Sequence, residues 1–408
     1  MTARPRPGPL VVALFLCLLL VAAPSPSRAD VQTADPLIQE FVVPDEISSP
    51  HSIAVDSNGN VWFAEKVAKN LIMFDPERIT FEVHSLPSDW GKVGPSRIAL
   101  APGGSVWFSV RRWADSDDAT WFLGRLDPAT DSFQRYVFAD TDAARENGTD
   151  QGKILPDDLL VDRKGLVWFL SPEQNKVYSF EPDGAGLRGY PIPTPHSYPK
   201  GIAIDGGDTI WFAEANANKI GKFVPASATF SEYEIPTPFT NTETLTVDAA
   251  GRVWFVELRT NRLGAFYPEG ERFHEALIPT AGGLPNAIAV GGSGGIWFLE
   301  YMGNKVGVFD PVPARFEEFD IPTFASLPGD MAIDLARNRL WFSETGTEAK
   351  RLGMLSMTKA RTTMAAAKTA AVSKASPEEY STVLAISAVV ALLVAFGSFF
   401  VFWRRRPG

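Results

Sequence analysis

The stretch that decides the fold runs Pro199-Lys-Gly-Ile-Ala-Ile-Asp205, then Ile210-Trp-Phe-Ala-Glu214, Asn218-Lys-Ile-Gly-Lys-Phe223 and Phe230-Ser-Glu-Tyr-Glu-Ile-Pro236. These are four short runs rich in β-branched and aromatic residues, separated by turn formers, and they read as four consecutive antiparallel strands, here a to d. The Trp-Phe pair of strand b recurs at Trp62, Trp107, Trp168, Trp211, Trp254, Trp297 and Trp341, at intervals of 45, 61, 43, 43, 43 and 44 residues. An extra pair, Trp121-Phe122, falls inside the second unit. Three positions before each Trp stand Gly59, Gly104, Gly165, Asp208, Gly251, Gly294 and Asn338. All are residue types that accept a left-handed backbone, which predicts a tight a–b hairpin in every copy.

One four-stranded sheet cannot bury both of its faces, but seven arranged radially pack face to face. The sequence therefore predicts an all-β chain, a seven-bladed β-propeller over residues 30–356. The seventh unit stops after Leu352-Gly-Met-Leu355 without a strand d, and Ile38-Gln-Glu-Phe-Val-Val-Pro44 matches the missing run. The N-terminal segment is expected to form the outer strand of the last blade and close the ring.

The 408 residues carry a net charge of -10, unevenly spread. Residues 1–29 hold three Arg and no acid, and residues 357–408 hold seven Lys and Arg against two Glu, so residues 30–356 carry -18. A segment this acidic is a poor partner for nucleic acid, whose affinity rests on cations meeting phosphates. The single cysteine, Cys17, lies in the apolar run Leu10 to Ala23, which reads with its flanking Arg residues as a secretory signal ending before Asp30. The mature chain would then lack cysteine, which excludes disulfides, thiolate metal sites and a cysteine nucleophile. Ser381 to Trp403 is a 23-residue stretch without charge, followed at once by Arg404, Arg405 and Arg406. It predicts a single C-terminal transmembrane helix with a cytoplasmic tail (404–408) and an extracellular propeller. Residues 357–380, mostly Ala, Lys, Thr and Ser, read as a low-complexity tether that adds nothing to a core.

In a propeller the d–a and b–c loops share one face, near the axis. Strand a begins on that face with His51, Ser96, Asp157, Lys200, Glu243, Asn286 and Gly329, a variety unlike the repeating framework. Strand b ends there with Glu65, Val110, Ser171, Glu214, Glu257, Glu300 and Glu344. Five equivalent carboxylates suit a hard cation, or else each pairs with its own b–c loop, where Asn70, Asn218, Asn261 and Asn304 stand. The aspartates that end strand a are expected to cap their own turns. Two insertions reach the same face. One lengthens the b–c loop of blade 2 and carries Arg111, Arg112 and Trp113; the other joins blades 2 and 3 and carries the glycosylation sequon at Asn147. Candidate ligand-binding residues are thus Arg97, Arg111, Arg112, Trp113, Asp157, His196, Lys200 and Glu243. His51 is expected beside Glu65 as a candidate general base. His84 and His274 fall in strand d, the solvated outer edge.

The repeat P-x-x-I-A-V-D-x-x-G-x-V-W-F-x-E followed by N-K-I-G-x-F-x-P, carried by Pro50 to Pro76, Pro199 to Pro225 and Pro285 to Pro311, resembles the virginiamycin B lyase (streptogramin lyase) family. The resemblance covers about residues 35–357. It implies a seven-bladed propeller that opens cyclic streptogramin B antibiotics at their ester bond by Mg2+-dependent elimination. A base removes a proton beside a carbonyl while a metal steadies the enolate. Mapped onto this chain, the resemblance implies His51 of Pro50-His51-Ser52-Ile53 as base, with Glu65 in the same blade and Glu344 from the adjoining one holding Mg2+. The family's acid two residues before that His is Ser49 here, and its second His, in a neighbouring blade, is replaced by Gly329 or Ser96. Two functions of different class follow. One is a membrane-anchored binding propeller for a small molecule, peptide or glycan; the other is a carbon-oxygen lyase of the streptogramin type. A lactone-hydrolysing propeller would require a dense Asp, Asn and Glu calcium cage that the sequence lacks.

Overall fold

The computed structural model describes residues 36–47, 49–65, 67–112, 121–138, 154–183, 186–346 and 349–374. The expected signal peptide, transmembrane span and basic tail lie outside these residues, as do Trp113 and Asn147. Among the described residues no helix is long and apolar enough to cross a membrane.

Successive side chains of a strand point to opposite faces, so the Trp and Phe of each strand b must serve different neighbours. Each Trp packs with the Phe of the following blade: Trp62 with Phe108, Trp107 with Phe169, Trp168 with Phe212, and so on round to Trp341 with Phe63. The result is seven buried apolar clusters, one between each pair of consecutive blades. The hydrophobic core is therefore a ring of interfaces rather than a single centre. The Phe also explains the glycine of the N-K-I-G run. In blades 2, 4, 5, 6 and 7 its ring presses on Gly124, Gly221, Gly264, Gly307 or Gly353 of the adjacent strand c, where a Cβ would come within 2.0–2.2 Å of a ring carbon.

Seven four-stranded antiparallel sheets are present, each ordered a-b-c-d from its first strand outward. Blade 7 is composite: Pro328–Asp334, Arg339–Glu344 and Arg351–Ser356 are completed by Ile38–Val42. That closing strand pairs antiparallel from Ile38↔Leu355 to Val42↔Arg351. Glu40 extends the closure, accepting from the backbone N–H (2.8 Å) and hydroxyl (3.0 Å) of Thr323 in the blade 6–7 loop. All seven residues three before the Trp have positive φ, between 56° and 88°. The aspartates ending strand a cap the hairpins as expected: Asp205 accepts from Gly207 N, Thr209 N and the Trp211 indole, and Asp56, Asp162 and Asp248 do the same.

Three expectations are corrected. The recurring Asn is not a partner for the strand-b Glu. Asn218, at φ 58°, donates to the carbonyls of Ile235 and Thr237 and accepts from the N–H and hydroxyl of Thr240. It thereby clamps the outgoing d–a loop, as do Asn175, Asn261 and Asn304. Asn70 is one residue out of register with these, and it alone donates to its Glu, Glu65 (2.6 Å). His84 is buried rather than solvated, stacked on Trp62 and bonded to Asp131 of blade 2 at 2.8 Å. The low-complexity segment begins as helix α1 (Met357–Lys374), and Met357, Ala360 and Met364, which share one helical face, join the blade 6–7 cluster. Alanine-rich composition hid this because three apolar side chains suffice to dock a helix end.

Candidate functional site

Strand a begins irregularly. The a–b register slips after Pro95, Lys200, Pro285 and Pro328, a bulge that sends an extra residue toward the axis. Residues of two successive positions reach the channel, that of His51 and the one after it, although Ser96, Asp157, Lys200 and Ala287 do not line it. That second position holds Ser52, Arg97, Asp158, Gly201, Thr244, Ala287 and Asp330. Together they surround a cavity of about 520 Å3 on the face of the d–a and b–c loops, to which every blade contributes.

The second position also ties blade to blade. The Asp330 carboxylate accepts from Ile53 N in the next blade at 3.1 Å, and the Ser52 hydroxyl accepts from Ile98 N at 3.3 Å. Asp158 accepts from Arg97 Nε and from Gly201 N, both at 2.8 Å, joining blades 2, 3 and 4. The Asp158 carboxylate, followed by Asp330, Asp157 and Glu243, holds the Arg97 guanidinium above its already high ordinary pKa. Burial pushes the Asp158 carboxyl up while Arg97 draws it back. Two N–H donors aimed at its two oxygens favour the ionised form. Burial works against the charge of Lys200, but Asp157, its ion-pair partner, and Asp158 hold the ammonium above its ordinary value.

His51, Arg97 and Glu243 thus line the cavity. Asp157 and Lys200 pair with each other behind its wall, and His196 is exposed on the blade 3–4 loop, off the wall. Arg111 and Arg112 extend strand b of blade 2, opposite Gly94 and Val93. Sequence reasoning missed Ser52, Asp158, Asp330 and Tyr301 as wall residues. Apart from Arg97 it followed the first position, and nothing in a single sequence marks a bulge that turns the next side chain to the axis.

The five glutamates ending strand b do not face the channel mouth. All are fully buried and none lines the cavity. In blades 4 to 7 each sits beside a second glutamate on strand d. Burial, reinforced by Glu232, pushes the Glu214 carboxyl up to about 8. Glu300 beside Glu318 and Glu344 beside Glu40 are likewise raised to about 8. Glu257 rises to about 7, through burial against the pull of the Thr260 hydroxyl. The strand-d partners bind the preceding loop, as Glu232 accepts both the N–H and hydroxyl of Thr194. Burial thus favours the neutral acid at Glu214, Glu300 and Glu344 near neutral pH, and less strongly at Glu257. A protonated Glu344 and a Glu65 committed to Asn70, both buried off the cavity wall, do not fit a Mg2+ site. Among the described residues no group of three or more His, Asp and Glu is arranged to hold a metal.

Residues 114–374 match the virginiamycin B lyase family, well over half of the chain. The chain belongs to the virginiamycin B lyase family. The solved virginiamycin B lyase from Staphylococcus aureus is 25% identical, with a TM-score of 0.65 over 78% of this chain and 98% of that one. A catalytically inactive variant of that Staphylococcus aureus lyase with quinupristin gives 24% identity and the same TM-score and coverage. A streptogramin B lyase structure gives 23%, 0.65, and 78% and 96% of the two chains. No curated protein matches the chain in sequence.

Proposed function

We propose that this member of the virginiamycin B lyase family is a cell-surface binding propeller, anchored by residues 381–403, that takes a small molecule, peptide or glycan at its channel mouth. The observation that carries this reading is the contrast around the axis. The Trp-Phe framework repeats in every blade, whereas the cavity wall carries a different polar group from nearly every one. A wall of unlike donors and acceptors in an otherwise repetitive scaffold is what orients one particular ligand. Arg111, Arg112 and Trp113, from the long loop of blade 2, would add contacts at the rim.

A second reading is a lyase that opens cyclic depsipeptide esters, with His51 as base. What favours it is family membership together with the place of His51 on the cavity wall. The test uses purified protein and a streptogramin B depsipeptide, with and without Mg2+, beside His51→Ala. Saturable binding without ring opening, weakened by Arg97→Ala, supports the binding propeller. Ring opening that requires both His51 and Mg2+ replaces it with the lyase.

A further inference from the structure

The cavity is electrically lopsided. On the side of blades 2 to 4 its charges are already paired, Arg97 with Asp158 on the wall and Lys200 with Asp157 behind it. On the side of blades 5 to 7 the described residues make no ion pair, although the Glu243 and Asp330 carboxylates stand within the field of Arg97. Among the described residues Glu243 is hydrogen-bonded only to the amide of Asn241 (2.9 Å), and Asp330 accepts only from backbone N–H groups, those of Ile53 and Met331. Between these two blades Asn286 donates both of its described hydrogen bonds to the carbonyls of Pro328 and Gly329, which fixes the orientation of its amide. Its Oδ1 is left buried with no donor among the described residues. The wall thus holds three carboxylates, Asp158, Glu243 and Asp330, against the guanidinium of Arg97.

The loops of blades 5 to 7 on the same face carry exposed apolar residues. Phe239 in the loop entering blade 5 is 80% exposed, Phe324 in the loop entering blade 7 is 94% exposed, and Met302 follows strand b of blade 6. Phe239 itself has φ 59°, a conformation a bulky residue adopts at a cost unless the surroundings enforce it. The Asn218 clamp on the next residue, Thr240, supplies that enforcement.

From this juxtaposition of cavity carboxylates and exposed apolar groups on the loops of the same face, we infer that the ligand is an amphipathic organic cation. Its ammonium enters between Glu243 and Asp330, and its apolar or aromatic body rests against Phe239, Met302 and Phe324. An ammonium has several N–H donors, enough to serve the Glu243 and Asp330 carboxylates together. The aromatic faces favour a cation or its apolar stem. This rests on the binding reading above.

The test titrates the full chain with three probes of one shape and different charge: 2-phenylethylamine, 2-phenylethanol and 3-phenylpropanoate. Binding is followed by ligand-observed NMR at neutral pH, in the wild type and in Glu243→Gln and Asp330→Asn. Asn keeps an acceptor for Ile53 N, and the exposed Glu243 can be changed without disturbing the ring. The expected result is that the amine binds about tenfold or more tightly than the alcohol, that the propanoate is excluded, and that either substitution removes most of the preference for the amine. Equal binding of all three, or preference for the propanoate, overturns the cation inference but leaves the binding cavity standing. Binding of none overturns the inference, and the cavity reading then stands or falls on the depsipeptide titration.

Discussion

Glu300 allows the buried carboxyl pairs to be tested one at a time. Its side chain is fully buried beside Glu318, and burial first, then that neighbour, raises it from an ordinary 4.5 to about 8. The folded chain therefore holds a proton here that the unfolded chain has released. A group bound more tightly in the folded state contributes stability fully below about pH 4.5, and that contribution is lost as pH rises through about 8. A shift of this size corresponds to about 5 kcal/mol if nothing relaxes. Side-chain movement and water entry above pH 8 bring the expected loss to about 2 kcal/mol for this site. Gln is isosteric, neutral at every pH and able to donate to Glu318. Glu300→Gln should then melt within about 1 °C of wild type at pH 5 and about 3 °C higher at pH 9, for a domain of this size. The assay is differential scanning calorimetry of both proteins across that range. Because only the difference between two proteins is read, histidines and other titrating groups cancel. A variant destabilised equally at both pH values would refute the protonated pair and show instead an ionised Glu300 with a specific partner.

Three further outcomes follow from the framework. Removing residues 30–45 takes away the outer strand of blade 7 and the Glu40 contacts to Thr323, and should lower the unfolding midpoint of the whole ring in denaturant; an unchanged midpoint would mean that closure is not made by this strand. Asn218→Ala removes four hydrogen bonds that hold the loop entering blade 5, for a loss of about 3 kcal/mol in chemical denaturation, and the variant should show faster proteolysis near Phe239. Gly307→Ala places a methyl group into the ring of Phe298 and should cost about 3 kcal/mol, whereas Gly292→Ala, where a Cβ would meet only the tip of Leu335, should be nearly neutral.

The fold was legible in the sequence because a propeller repeats its local physics seven times. The Trp-Phe pair, the left-handed residue three before it, the turn-capping Asp and the missing strand d each depend on neighbours a few residues away. Repetition separates such signals from chance. His51, Arg97 and Glu243 were also within reach, since strand direction alone places the start of strand a near the axis.

What only the tertiary structure decided is where the charges go. Five glutamates at the end of strand b looked like a ring of ligands at the channel mouth. The pleat turns them into the blades instead, against strand-d glutamates up to 304 residues away in sequence, as Glu344 is from Glu40. There burial pushes four of them up, three to about 8 and Glu257 to about 7. The bulge that aims Asp158 and Asp330 at the axis, and the pairing of Arg97 and Lys200 with acids from another blade, depend equally on how one sheet sits against the next. The sequence by itself determined the repeating unit, the number of blades and the closure, because these follow from short-range patterning. The sign and openness of the cavity were decided between blades, because a charge is free or spent according to what stands across an interface that no local pattern records.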